Sequence, residues 1–449
     1  MPDGPHASDP LRPAMACMAD GRFPDALDML LDLDQSAFSP CEQGRALALE
    51  IVCLAQQDLD DDARRMLSRA MRRHPDDRAF QLALGIQLSE CGAHDWAEKV
   101  LRRLSDRFAD DPVPLFNLGV ALEHDARCEE AVEAYRQAIA RDSASACPEF
   151  HARLGHALQR MGRLIEAAAA LREYLSQRPR DAHEWISLAI VCSNAEDYAK
   201  AREAYEKARE LEPDSVSLHF NRAQTAARQD DRETLAACVA TLERLAPEDW
   251  RTELARASLA ERDGAAWQGW EACRRAFERA AGQAATLGCA EAEECVAIAA
   301  ASTLTYAARN RLGEHAGEFV AQVFDAELFD ECVLAALRRL EGAHSRHARE
   351  FDVLLEGRRN EASEDDGADP DEAPAPGARF FRSLRVWADD AEQAGQLALD
   401  FERRCGGVDL EIGSVERGAA TGAAHLGVRW CSARWSYESE GDGPERAEP

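Results

Sequence analysis

Lysine is nearly missing from this chain. It occurs only at Lys99, Lys200 and Lys207, and basic charge is carried by Arg. Lys plus Arg total 53 against 83 Asp plus Glu, a formal charge of −30 over 449 residues. A partner held through its phosphate backbone needs a basic face, so nucleic acid is excluded as the main partner. An anionic membrane surface is excluded on the same ground. Apolar runs are short, and no stretch of about 18 residues is free of charge, so no membrane span is expected. The first 21 residues lack a basic segment followed by an apolar run, so no secretory leader is expected. Paired cysteines are missing too. The 14 Cys include no CxxC, and the nearest pair is Cys289 and Cys295. Free thiols and a reducing, cytoplasmic compartment follow as expectations.

Catalytic punctuation is equally scarce. The sequence has no G-x-x-x-x-G-K-[ST], no G-x-G-x-x-G, no H-E-x-x-H and no G-x-S-x-G. His344 and His347 stand three apart, a spacing that would put both on one face at a helix end. His315 and Cys332 are near in sequence, yet no zinc spacing joins the four. The Gly418–Gly427 segment lacks phosphate-loop spacing and reads as a β-turn loop. The expectation is a protein with no catalytic residues, no cofactor and no metal.

A repeat fills the first half. Small residues recur at Gly85, Gly119, Gly155, Ala189, Ala223 and Ala257, at steps of 34, 36, 34, 34 and 34. Ala63, Ala97, Ala131, Ala167 and Ala201 form a second ladder in the same register. Pro179, Pro213 and Pro247 form a third, with Pro75 in phase ahead of a two-residue insertion. Each period is a pair of helices. The small residue lets the second helix approach the first, and the proline ends the second helix because it has no N–H to continue the ladder. A lone pair cannot bury its apolar face, so the pairs stack into a solenoid.

The pattern resembles the tetratricopeptide repeat family. The resemblance is clearest at Leu115, Leu118, Gly119, Leu122, Ala131, Tyr135 and Ala138, and again at Trp185, Leu188, Ala189, Ala201, Tyr205, Ala208 and Pro213. It extends over about 7–283: seven units beginning near 7, 44, 78, 112, 148, 182 and 216, and a degenerate eighth at 250–283. In that last unit Gly269 stands where the alanine belongs. The implied fold is mainly α, a right-handed α-solenoid. The implied role is protein binding, with the first helix of each pair lining the concave face. That register places Leu82, Ile86, Phe116, Val120, His156, Ile186, Ile190, Phe220 and Gln224 in the groove, with small Ala48 and Ala152 and with Val52 completing the row. Members that clamp a C-terminal carboxylate need Lys and Asn there. Here Asn117, Arg153 and Asn221 are dispersed, so an apolar or amphipathic peptide fits better.

Beyond the repeat, 284–346 reads as a helical cap, with helices at 291–311, 314–323 and 328–339. Residues 347–438 read as a small α+β domain in ββαββ order. Its signs are the alternation at Phe351, Val353 and Leu355, then Phe380, Leu384 and Val386, then Val408, Leu410 and Ile412, and finally Val428 and Trp430. Trp435 and Tyr437 lie on the other parity, which a bulge at 431–433 would reconcile. Asp389 and Glu392 read as a capping box ahead of a helix with Ala391, Ala394, Leu397, Ala398 and Phe401 on its apolar face. Residues 360–377 and 439–449 are acidic and read as disordered. The expected function is a non-enzymatic scaffold that binds a protein or peptide. The alternative is an inhibitory or immunity-type protein that covers a basic enzyme or toxin.

Overall fold

The computed structural model describes residues 9–57, 59–142, 147–287, 290–342, 344–359, 379–405 and 407–431. The acidic stretches at 360–377 and 439–449, Cys289, Trp435 and Tyr437 lie outside these. The chain divides into two compact units, residues 1–218 and 219–449.

The first unit is a run of helix pairs: α1 (Arg12–Ala19) with α2 (Phe23–Asp32), α3 (Pro40–Ala55) with α4 (Asp60–Arg73), and α5 (Arg78–Glu90) with α6 (His94–Arg107). Next come α7 (Val113–His124) with α8 (Cys128–Arg141), α9 (Glu149–Arg160) with α10 (Leu164–Gln177), and α11 (Ala182–Asn194) with α12 (Tyr198–Leu211). Local chemistry starts the helices. Ser39 and Glu42 form a capping box for α3, and the carboxylates of Asp77, Asp181 and Asp197 cap α5, α11 and α12. Pro75, Pro179 and Pro213 each stand two residues past a helix end.

The ladder residues do what their size implies. A Cβ on Gly85 would sit 2.8 Å from Leu101, one on Gly119 2.5 Å from the Tyr135 ring, and one on Gly155 2.8 Å from Leu171. Each partner lies on the second helix of the same pair. Ala63, Ala97, Ala131, Ala167 and Ala201 have no exposed surface. The turns inside the pairs share one conformation. Gly92, Ala126, Gly162 and Glu196 all have positive φ, between 57° and 78°, at steps of 34, 36 and 34 residues.

α13 (Val216–Arg228) spans the division between the units. The second unit continues with α14 (Arg232–Leu245), α15 (Trp250–Arg262), a long α16 (Ala266–Leu287), α17 (Ala290–Arg309), α18 (Gly317–Asp325) and α19 (Glu331–Glu341). Gly269 departs from the repeat for a reason. A Cβ there would collide with the Tyr306 hydroxyl, which donates to the Ala266 carbonyl at 3.1 Å. Ala297, Ala299 and Ala300 are buried, and Ala301 beside them is half-buried.

Then follow β1 (His344–Arg359), β2 (Arg379–Ala388), α20 (Ala391–Arg404), β3 (Gly407–His425) and β4 (Gly427–Cys431). The strands form one antiparallel sheet in the order β3-β1-β2-β4. Phe351, Val353 and Leu355 pair with Val386, Leu384 and Arg382 and are buried in the unit's core with Ala394, Ala398 and Phe401 of α20. Arg382 enters that core through an ion pair with Glu402 at 3.0 Å, both side chains at most 3% exposed.

Four expectations are corrected. His344 and His347 lie in strand β1, so the helical spacing argument lapses. The Gly418–Gly427 segment is not a loop, because β3 runs on to His425 along β1. The cap of α20 is Asp390, which accepts from Gln393 N at 2.8 Å while Gln393 accepts from Asp389 N at 2.7 Å. The cap is one residue later than read and is not a reciprocal box, and Ala391 is exposed rather than on the packed face. The β2–β4 register shifts at Arg429, and the bulge expected at 431–433 falls largely outside the described residues.

Candidate functional site

The first unit carries the row of side chains that the repeat register selects. Leu82 and Ile86 on α5, Phe116 and Val120 on α7, His156 on α9 and Ile190 on α11 are all half-buried. They recur because residues four apart share a helix face and each pair repeats the last. Phe116 packs at a tilt against Phe150 at 4.8 Å and Tyr135 at 5.6 Å between centroids, so its ring is shared with the core. Ile186 is buried at 6% exposure and offers little surface. Ala48, Val52 and Ala152 are buried as well, which closes the row at its start and in its middle. Phe220 and Gln224 are half-buried in the second unit, where Phe220 meets Trp250 edge-on at 5.8 Å.

Polar bonds tie successive first helices together beside this row. Arg45 Nε of α3 donates to Gln87 Oε1 of α5 at 3.1 Å. Ser89 of α5 meets His124 Nδ1 of α7 at 3.4 Å. Glu123 of α7 accepts from Arg160 of α9 and from the Tyr135 hydroxyl. His156 Nε2 of α9 lies 3.0 Å from Glu184 Oε1 of α11. Burial and the Glu123 carboxylate together push the Tyr135 hydroxyl far above its ordinary range. Glu184 is buried, and its Oε2 has no hydrogen-bond partner among the described residues. With the hydrogen on Nε2, His156 keeps Nδ1 as an acceptor. His151, five residues earlier on α9, has its pKa lowered by burial.

The sequence reading found the apolar row and His156 but not this rail of bonds. Its partners stand 28 to 42 residues apart and share no motif. Only the period itself pointed to them, since each pair joins neighbouring repeats. No group of described His, Cys, Asp and Glu side chains could hold a metal ion. Every described cysteine is a free thiol. No described helix is long and apolar enough to cross a membrane.

Comparison with known proteins bears on the segment that carries His156, Ile186 and Ile190. Tetratricopeptide repeat models match residues 148–181 and 182–215. Residues 148–215 are tetratricopeptide repeats. This repeat is typically a non-catalytic module, and its presence supports a protein-interaction scaffold. No curated protein matches the sequence. Among solved structures, YrrB, described as a TPR protein with an unusual peptide-binding site, is 14% identical. The match covers 42% of this chain and 97% of that one at a TM-score of 0.38. MamA from Desulfovibrio magneticus RS-1 is 22% identical over 38% of this chain and 95% of its own, with a TM-score of 0.35. PilF of Pseudomonas aeruginosa is 19% identical over 49% and 99%, also at 0.35.

Proposed function

We propose that the tetratricopeptide array holds an apolar or amphipathic protein segment against its first helices, without catalysing a reaction on it. In this reading the array spans 1–283, with 284–346 as its cap and 347–438 as an accessory domain. The observation that carries it is the row of half-buried Leu82, Ile86, Phe116, Val120 and Ile190 on helices that repeat one another. A half-exposed apolar side chain gains further burial only when something covers it, and each full Ile or Phe burial is worth roughly 1.5–3 kcal/mol. Four or five such anchors, after association costs, suffice for about micromolar binding.

The test is a peptide-display selection on the whole protein. Selected segments should be amphipathic, with apolar residues at three- and four-residue steps. The Val120→Asp/Ile190→Asp variant should lose them while keeping the native helical signal. Peptides that bind the folded variant as tightly as the native protein would refute the groove.

The neutralising alternative rests on the −30 charge. It requires an association rate that falls steeply with salt for a basic partner, and a flat salt profile removes it.

A further inference from the structure

The second unit contains a pocket of about 220 Å³ between α19, α20 and the β3–β4 corner. Its apolar wall includes Phe324, Leu337, Leu397, Phe401, Leu426 and Val428. Arg338, Glu341, Asp400 and Arg404 complete the lining.

Most of that charge is already matched. Arg404 is held by both oxygens of Glu341, at 2.6 and 3.2 Å, with its guanidinium 4.0 Å from the Phe324 ring centroid. Asp400 pairs with Arg403 at 2.7 Å. Arg338 is different. It is 8% exposed, and among the described residues no carboxylate pairs with it. Its guanidinium donates to the Val428 carbonyl at 2.6 Å and lies 4.9 Å from the Trp387 ring centroid. Burial, and then the positive charges of Arg429 and Arg339, push its pKa down to about 10, with Glu331 only partly opposing them. The site is built to hold this side chain close. A Cβ on Gly342 would collide with the carbonyls of Leu426 and Arg338, and Gly427, at φ 134°, brings β4 against the Arg338 stem.

A buried cation that no described carboxylate pairs with is costly to hold. We infer that the pocket binds a small apolar carboxylate, its body against Leu397, Phe401 and Val428 and its anionic oxygens on Arg338. The volume equals the share of about seven waters, below that of drug-sized sites. It suits a short branched or aromatic acid, or the last apolar residue of a chain with its terminal carboxylate. A guanidinium beside an apolar wall discriminates strongly, because an uncharged ligand of equal shape leaves it unpaired.

Calorimetry on the full chain with 4-methylpentanoate and with its amide tests this. The acid should bind saturably, and about tenfold or more tighter than the amide. In Arg338→Met that preference should vanish, and in Leu397→Trp, which fills the pocket and leaves the guanidinium intact, both ligands should be lost. Equal affinity of acid and amide, or no binding of the acid at millimolar concentration, overturns the inference. So does acid preference surviving in folded Arg338→Met, or unchanged binding in Leu397→Trp. A peptide ending in free Leu and its amidated twin separate the sources. Competition by the free terminus alone marks a chain end, and no competition by either marks a free acid.

Discussion

At Gly119 the absence of a side chain is itself a contact. The Tyr135 ring occupies the space where a Cβ would be, and its hydroxyl continues to Glu123 and so to Arg160 of the next pair. Gly119→Ala should therefore destabilise the protein by about 1–3 kcal/mol, since overpacking outweighs the helix propensity that Ala adds. A urea midpoint equal to or above that of the native protein would contradict this packing. Cys53 gives a pH prediction at the same scale. Burial raises its thiol from the ordinary 9 to about 11. Between those values the unfolded chain has released the proton and the folded chain still holds it, so stability falls as pH rises through that window. Cys53→Ala should flatten part of the fall in urea midpoint between about pH 9 and 11. The small residues at 85, 119 and 155 were legible in the sequence because spacing alone betrays them. The burial of Ile186 and Val52 was not, because position on a helix does not say how deeply neighbouring pairs cover it.

Helices and strands differed in how plainly they announced themselves. The pairs from α3 to α12 follow the repeat because the small-residue ladders hold at every period, and caps at α3, α5, α11 and α12 and prolines after α4, α10 and α12 agree with them. β3 announced only its first half, through Val408, Leu410 and Ile412. Its second half, with Gly418, Ala419, Ala420 and Gly422, has the composition of a turn, yet pairing along β1 from His344 to Arg359 keeps it extended. Tertiary pairing overrides intrinsic preference here. His344 and His347 were misplaced for the same reason, since their strand begins three residues after the last residue of α19. The turn residue inside each pair offers a direct test. Glu196 has φ 60° where Gly92 and Gly162 occupy equivalent turns. Glu196→Gly should raise stability by about 0.5–1 kcal/mol, the left-handed strain it removes exceeding the entropy it adds. A lower melting temperature for this variant would mean that the Glu196 side chain has a role the turn does not show.

The whole chain joins two units with different organising rules. In the first, contacts run from each pair to its neighbours, and in the second a sheet and a helical core close around one cluster. Charge and composition set expectations about the partner, and periodicity pointed to the helix pairs. The pocket beside Arg338 could not be read in advance, because its walls come from segments between Phe324 and Val428 that only the fold unites. The polar rail has a mechanical consequence. Because Arg45–Gln87, Ser89–His124, Glu123–Arg160 and His156–Glu184 each bridge one seam, the array is a spring with separable coils. Pulled from its ends, the first unit should lengthen in discrete steps, each releasing about 34 residues or roughly 120 Å of extended chain. Substituting His156 by Ala should lower the force of one step and leave the others in place. A bound segment lying across several seams should merge their steps into one larger event, so that grip on the ligand becomes readable as stiffness.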